Sequence, residues 1–513
     1  MQTGSCSISV IFLWLVTSAV LAKAVDNMEG NTAASKRPIR QSQSLCAGEQ
    51  EYVHKRKQVV LESLRRLGIN CAADSVPHIA LLASGGGQRA AVGLVGSLYQ
   101  MEKEDLLDTL LYLGGVSGST WSMSSIYSDP QWSTNMDTAV SRLSGPGVEL
   151  GEAFAWINER SKDEYFSLTD VWGVLTSAGI MKQMDLRHLS DEVSRNATNP
   201  YPIYSAIEKH CFSDGPIEGK WLEVSPHEAG FTELGLFIET SLLGSKFEGG
   251  ELLEEKPEMD MVTLQGMVNH NKSVLLESNS SAERKGLFQH WSLELLAAVE
   301  TWSQSLEDGP MKTHVSVLTK KVLPMIMKWE WGTTANFLYQ YPDSMVPLCL
   351  RSEERFHLVD AGLLINVAYP PFLGDKRDID LIVAPEYSAG NMFETLTLAR
   401  DYAAEVRRAF PDINNKTLEE RDWPKDCYVF EGKQNEPSII YLPLFNRRNC
   451  KDAEEVKAKM EEFSTFQRPF SQEKIEFVLE VAKDNIKNNK ETLLREINKA
   501  VLRQHNKRKS MQH

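Results

Sequence analysis

Basic charge is the scarcest resource of this 513-residue chain: 55 lysines and arginines face 70 aspartates and glutamates, leaving a formal net charge of −15. Phosphate-backbone binding needs a broad basic face, so nucleic acid is excluded as the main partner. A lipid surface is not excluded, but docking on anionic lipid requires a local basic or apolar patch acting against the overall field. Cysteine is sparse as well, seven in all with no CxxC pair, which removes the common zinc signature and any dense disulfide framework. The N-terminal apolar run falls short of the roughly 20 residues that a spanning helix needs. Internal repeats and low-complexity tracts are missing, as are GxGxxG followed by an acidic residue and the GK[ST] of a P-loop. With 42% hydrophobic and 24% charged residues, the chain falls outside the disordered and collagen-like classes and can bury a large core.

What is present begins with that apolar run, Ile8 to Ala22, followed by small residues around Ala22-Lys23-Ala24, a pattern resembling a secretory leader over residues 1–24 without a basic n-region. If it is cleaved, six cysteines remain (Cys46, Cys71, Cys211, Cys349, Cys427 and Cys450), and the sequons at Asn196, Asn271, Asn279 and Asn415 acquire meaning. Residues 25–48 are polar and aperiodic and read as a flexible lead-in. A helical pattern follows from Glu49. His78 to Ala83, "HIALLA", is a short buried strand that runs into "SGGGQRAAVGLVGSLYQM", and "LLDTLLYL" runs into "GGVSGS" and then "TWSMSSIY". Two consecutive strand–glycine turn–helix units predict an α/β fold, a parallel sheet covered by helices with its site at the carboxyl ends of the strands. Residues 130–345 break into short amphipathic pieces and read as insertions over that edge. Arg355 to Leu373 and "RDIDLIVAPEYS" return to buried-strand composition, and 471–513 form a C-terminal helix or helix pair with a basic tail.

A serine hydroxyl is a weak nucleophile that has to be exposed, held beside a base and faced by donors for the developing oxyanion. A sharp strand-to-helix turn with glycines on both sides does this, and Gly115-Val116-Ser117-Gly118-Ser119 presents Ser117 in that way. The alternative is an ordinary glycine-rich turn with a capping serine. Ser84-Gly85-Gly86-Gly87 leaves several amides unblocked and suits either a phosphate cradle or an oxyanion hole. Arg89 follows, able to grip a phosphate or simply to pair with a carboxylate at the surface. Asp360 in "LVDAGL" ends an apolar run, where burial raises its pKa and fits it to act as a base; otherwise it caps a turn. No histidine occupies a triad context, so a Ser/Asp pair is preferred to Ser/His/Asp.

In that order, "LLASGGGQRA", "GGVSGSTW" and "LVDAGLLINVAYPPFL" resemble the cytosolic phospholipase A2 family, and "LTDVWG", "LEVSPHEAGF", "GSKFEGG" and "RDIDLIV" extend the resemblance over most of residues 45–470. The resemblance implies a three-layer α/β/α, Ser/Asp-dyad lysophospholipase/acyltransferase-like catalytic domain over residues 49–470 with helical lid insertions. It implies Ser117 as nucleophile, Asp360 as its base, Gly86 and Gly87 as oxyanion hole and Arg89 on the substrate phosphate, with no cofactor and no metal. Gln88 replaces a residue that is often aromatic. No C2 domain fits before Cys46, so the chain looks most like the calcium-independent gamma subtype, yet its end "RKSMQH" has no prenylation cysteine. The tail residues Arg503, Lys507, Arg508 and Lys509 are one candidate for membrane contact. The expected activity is hydrolysis of the acyl ester of a glycerophospholipid at a membrane surface, with lysophospholipase and transacylase extensions. The resemblance places it in the cytosol and at intracellular membrane surfaces, and a working leader would place it in the secretory pathway. An inert lipid-binding protein and a general serine esterase remain the alternatives.

Overall fold

The computed structural model describes residues 38–268, 332–433, 435–464 and 469–511. The expected leader, most of the lead-in, and Asn271 and Asn279 lie outside the described residues; Asn196 and Asn415 are exposed.

The centre is built from strands whose composition leaves no polar face. β1 (Ile39–Gln41), β2 (Ile79–Ala83), β3 (Tyr112–Gly115), β4 (Tyr201–Glu208), β5 (Trp221–Val224), β6 (Glu228–Phe231) and β7 (Leu236–Glu239) come first in the chain. β8 (Lys246–Glu248) and β9 (Glu251–Glu254) form a separate hairpin; β10 (Gly332–Ala335), β11 (Arg355–Asp360), β12 (Leu381–Glu386), β13 (Tyr428–Phe430) and β14 (Ser438–Pro443) complete the set. The sheet runs β1-β7-β6-β5-β4-β3-β2-β12-β14-β13. Its five middle strands, β4-β3-β2-β12-β14, are parallel, and every residue of β2, β3, β12 and β14 is buried, as helix-covered parallel strands require. The expected α/β architecture is therefore found, with antiparallel strands added at both flanks.

Two expectations change. Residues 130–345 are more than insertions, because they supply β4 of the parallel centre together with β5 to β7 and β10, which add antiparallel strands beside it. Their strands escape notice because β4, although wholly buried, carries Pro202, Ser205 and Glu208, and some of its polar groups are satisfied internally: Tyr201 Oη donates to Ser225 Oγ (3.1 Å) and Glu208 accepts from the Cys211 amide (2.8 Å). The lead-in also contains structure, since β1 pairs with β7 and Arg40 lies bidentate on Glu228 at 2.5 and 2.6 Å. The C-terminal segment is a helix pair, Gln472–Asn488 and Lys490–Met511, with Ile475, Val478, Leu479, Ala482 and Ile486 buried on one face as their spacing predicts. Arg503 and Lys507 turn inward, to Ser438 Oγ and to Asp378 and Asp380, which leaves Arg508 and Lys509 as the exposed cations of the tail.

The topology that matters most lies at the end of β3. β4 pairs with β3 through Tyr201–Tyr204, and with β5 on its other edge through Tyr204–Ile207. β3 stops at Gly115, so the edge of β4 beyond Tyr204 is vacated, and β11 fills it antiparallel, with Asp360 opposite Ala206. A strand more than two hundred residues downstream thus ends beside the turn that follows β3.

Candidate active site

Ser117 is the N-cap of the helix Gly118–Tyr127, with φ 53° and ψ −135°. A non-glycine residue there costs on the order of 1–3 kcal/mol and persists only where the surroundings enforce it. The enforcement is local. Ser119 Oγ donates to Val116 O (2.7 Å) and accepts from the Val116 amide (3.0 Å), closing the turn, while Thr120 Oγ1 donates to Ser117 O (2.7 Å). The second serine of the motif is therefore structural, whereas the side chain of Ser117 stays partly exposed.

The other glycine turn abuts this one. A Cβ on Gly85 would fall 2.6 Å from Ser117 Cβ, and one on Gly118 would fall 2.0 Å from Gly87 O, so side chains at these positions would drive the two turns apart. Gly87 caps the helix Gln88–Lys103 with φ 59° and ψ −135°. The Gly85 amide donates to Asn366 O (2.9 Å), and Ser84 Oγ accepts from the Tyr387 amide (2.5 Å), pinning the loop to the end of β12. The amides of Gly86 and Gly87 have no partner among the described residues. They sit at the N-terminus of the helix that follows, where unsatisfied N–H groups attract negative charge.

Asp360 closes the site. It is 2% exposed, and its carboxylate accepts from the Gly362 amide (2.8 Å) and lies beside the Ser117 hydroxyl. Burial drives its pKa up to about 6, against the pull of those two donors. The turn-capping alternative is realised, since the carboxylate caps Gly362, and the same carboxylate lies beside Ser117. His357 stacks on His210 (4.9 Å between centroids), with its pKa lowered to about 4 chiefly by burial, and takes no part in this contact.

Arg89 departs from the surface-pairing alternative. Neither a surface cation nor paired with a carboxylate, it is fully buried, with Nε donating to Tyr387 O (2.6 Å) and Nη1 to Phe463 O. Nη2 has no partner and lies 3.2 Å from where a Cβ on Gly86 would sit. Desolvation lowers its pKa to about 10, which still leaves it cationic at neutral pH. Gln88 is buried, and its Oε1 accepts from the Phe470 amide (2.7 Å).

Sequence reading missed Asn366, six residues after Asp360. Its Oδ1 lies 2.1 Å from a Cβ on Gly85 and 2.5 Å from one on Gly362, and its Nδ2 donates to Ser388 Oγ (2.6 Å), so it wedges between the two loops. Tyr387 was missed too, since its role is played by its backbone. A polar cleft of about 590 Å³ lined by Arg160, Asp170, Lys246, Lys256 and Asp260 includes neither Ser117 nor Asp360, and its cations are all paired with carboxylates. No helix among the described residues is long and apolar enough to cross a membrane.

A lysophospholipase catalytic domain is the family model that matches, over residues 150–295. Human cytosolic phospholipase A2 gamma is 30% identical, over 88% of this chain and 94% of its own length; the mouse protein of that name is 28% identical, over 89% and 92%. Among solved structures, human GIVD cytosolic phospholipase A2 superposes with a TM-score of 0.70 at 23% identity, covering 92% of this chain and 69% of that one.

Proposed function

From the membership of this chain in the cytosolic phospholipase A2 family, which makes it an enzyme of phospholipase and lysophospholipase type, we propose that Ser117 is its nucleophile and Asp360 its general base. The observation that supports the assignment is the approach of the two side chains, near enough for the Ser117 hydroxyl to pull down the pKa of a carboxylate that burial raises to about 6, with the serine held at φ 53°.

The chemistry is acyl transfer in two steps. As Ser117 Oγ bonds to the ester carbonyl carbon of a glycerophospholipid, Asp360 takes the hydroxyl proton and the amides of Gly86 and Gly87 receive the oxyanion. The tetrahedral intermediate collapses, the glycerol C–O bond breaks, and Asp360 returns the proton to the departing lysophospholipid. Water then gives a proton to Asp360 and its oxygen to the acyl carbon; as the Oγ–acyl bond breaks, Asp360 returns the proton to Ser117 Oγ, freeing a fatty acid and the serine. A second lysophospholipid in place of water makes the same step a transacylation. Arg89 serves the substrate phosphate through Nη2, its other donors being spent on the fold. Every developing charge has a protein group assigned to it, so no step is routed through calcium.

The enzyme works as a peripheral protein at a phospholipid surface. Its relatives carry the word cytosolic in their names, and a cytosolic location is proposed on that likeness; mass spectrometry of the mature N-terminus tests it against secretion. The decisive experiment is purified protein on phospholipid vesicles, with Ser117→Ala beside it, products resolved by position, and Ser117 labelled by a fluorophosphonate. Labelling and acyl release that both vanish in the variant support the assignment. Acyl release that survives Ser117→Ala overturns it, and labelling without any turnover on lipid identifies an inert binder.

A further inference from the structure

Cys211 and Cys349, 138 positions apart, form a disulfide with their Cα atoms 5.4 Å apart. The bridge sits where the catalytic strand is anchored. Cys211 lies just beyond β4, which ends at Glu208, and Cys349 just before β11, which begins at Arg355. Only three residue pairs join these strands, from Leu358 opposite Glu208 to Asp360 opposite Ala206, and that short ladder sets Asp360 beside Ser117.

The surroundings are built around the bridge. Cys211 is fully buried, and a Cβ on Gly215 would fall 2.6 Å from Cys349 Sγ. Glu208 caps the turn that carries Cys211, accepting from its amide (2.8 Å), and it also accepts from the His357 amide (3.3 Å) while His210 stacks on His357, so the same two segments are tied by two further contacts. Those contacts hold the strands roughly; the covalent link removes their remaining freedom, and general-base catalysis is sensitive to displacements of about 1 Å.

We propose that Cys211–Cys349 is a positioning element for the reaction: closed, it holds β11 against β4 so that Asp360 meets Ser117; open, it releases the aspartate and slows turnover. The inference rests on the Ser117–Asp360 assignment. Closure forms one S–S bond and breaks two S–H bonds. The electron acceptor is a small disulfide such as oxidised glutathione, which leaves as two thiols carrying the two protons and two electrons. A dithiol such as dithiothreitol reverses the exchange. The four described free cysteines compete poorly, because burial raises the thiol pKa of Cys46 and Cys450 to about 11 and of Cys427 to about 12, and also raises that of Cys71.

The test uses the full chain, oxidised or treated with dithiothreitol, with free thiols mapped by mass and folding followed by circular dichroism. With the fold retained, opening the bridge is expected to lower kcat on phospholipid vesicles about tenfold at unchanged KM. It is also expected to move the acid limb of the pH–rate profile, and oxidised glutathione to restore both. Cys349→Ser behaves as the open form and does not respond to either reagent. If that variant fails to fold, the treated wild-type protein decides. Unchanged kcat and acid limb with both thiols shown free, accompanied at most by a lower melting temperature, overturn the proposal and leave the bridge purely structural. Oxidised protein that neither turns over lipid nor labels at Ser117 instead overturns the nucleophile assignment beneath it.

Discussion

The two glycine turns of the site are nearly superimposable in backbone terms and opposite in energetic character. Gly87 and Ser117 each cap a helix that follows a parallel strand, at φ 59°, ψ −135° and φ 53°, ψ −135°. Glycine takes that conformation without strain, and the turn it caps offers only amides; serine takes it at a cost on the order of 1–3 kcal/mol, and the turn it caps offers a hydroxyl. Under the proposed mechanism, the same local geometry serves as an anion receptor in one place and carries the nucleophile in the other. The strained copy is the one tied down by side-chain hydrogen bonds from Ser119 and Thr120.

The sharpest break of the comparison is Ser117→Gly, which makes the two turns alike. Acyl release from phospholipid vesicles should fall by at least about 10⁴-fold, while the melting temperature rises as the strain is relieved; a lower melting temperature would contradict the strain argument. Asp360→Asn should cost roughly 10²–10⁴-fold in kcat and act on stability in the opposite sense. Asp360 binds its proton more tightly folded (about 6) than unfolded (3.8), so its contribution is complete below about pH 4 and lost as pH rises through 6. Denaturant titration of the variant at pH 8 should therefore show a gain on the order of 1–3 kcal/mol that vanishes near pH 4. The wild-type rate should climb with pH through an apparent pKa of about 6.

A smaller effect is expected where the turns touch. Gly118→Ala places a methyl 2.0 Å from Gly87 O, and kinetics on vesicles should show a loss of about 10²-fold in kcat with little change in KM. Arg89→Lys keeps the charge and removes the planar fork. Its kcat/KM should drop about tenfold on a phospholipid and by distinctly less on an uncharged ester of the same acyl chain, and equal losses on both would detach Arg89 from the phosphate. The smallest effect belongs to Gly87→Ala, which puts into the receptor turn the strain that the elbow already bears. Thermal unfolding should report a loss on the order of 1–3 kcal/mol.

The parallel centre was legible because β2, β12 and the strands beside them are short apolar runs bounded by glycine, the pattern of a strand buried on both faces. β4 to β7 were not, because buried polar groups such as Glu208, Glu223 and Tyr201 find partners only in the folded chain. Glu223 is the extreme case: Arg377, itself buried, joins it to Glu49 at 2.8 Å on each side and pulls the Glu223 pKa down to about 2 against the cost of burial. Of the site, Ser117, Asp360 and the glycines stood out as residue types in telling places. Arg89 was visible as a cation, but its burial and its two carbonyl partners were not. Asn366 and Ser119 carried no signal, being polar residues in polar company.

By itself the amino-acid order determined what each segment can do alone: which runs have no polar face, where glycine permits a turn closed to other residues, and which side chains carry chemistry. These are local properties, set within a few residues by sterics and solvation. Only the tertiary structure decided that β11 takes over the edge of β4 where β3 ends, and that a disulfide spans those strands. It also decided that a carboxylate arriving by that route is dry enough to act as a base near neutral pH. Such outcomes depend on contacts between segments hundreds of residues apart, whose energies exist only once the chain has brought them together.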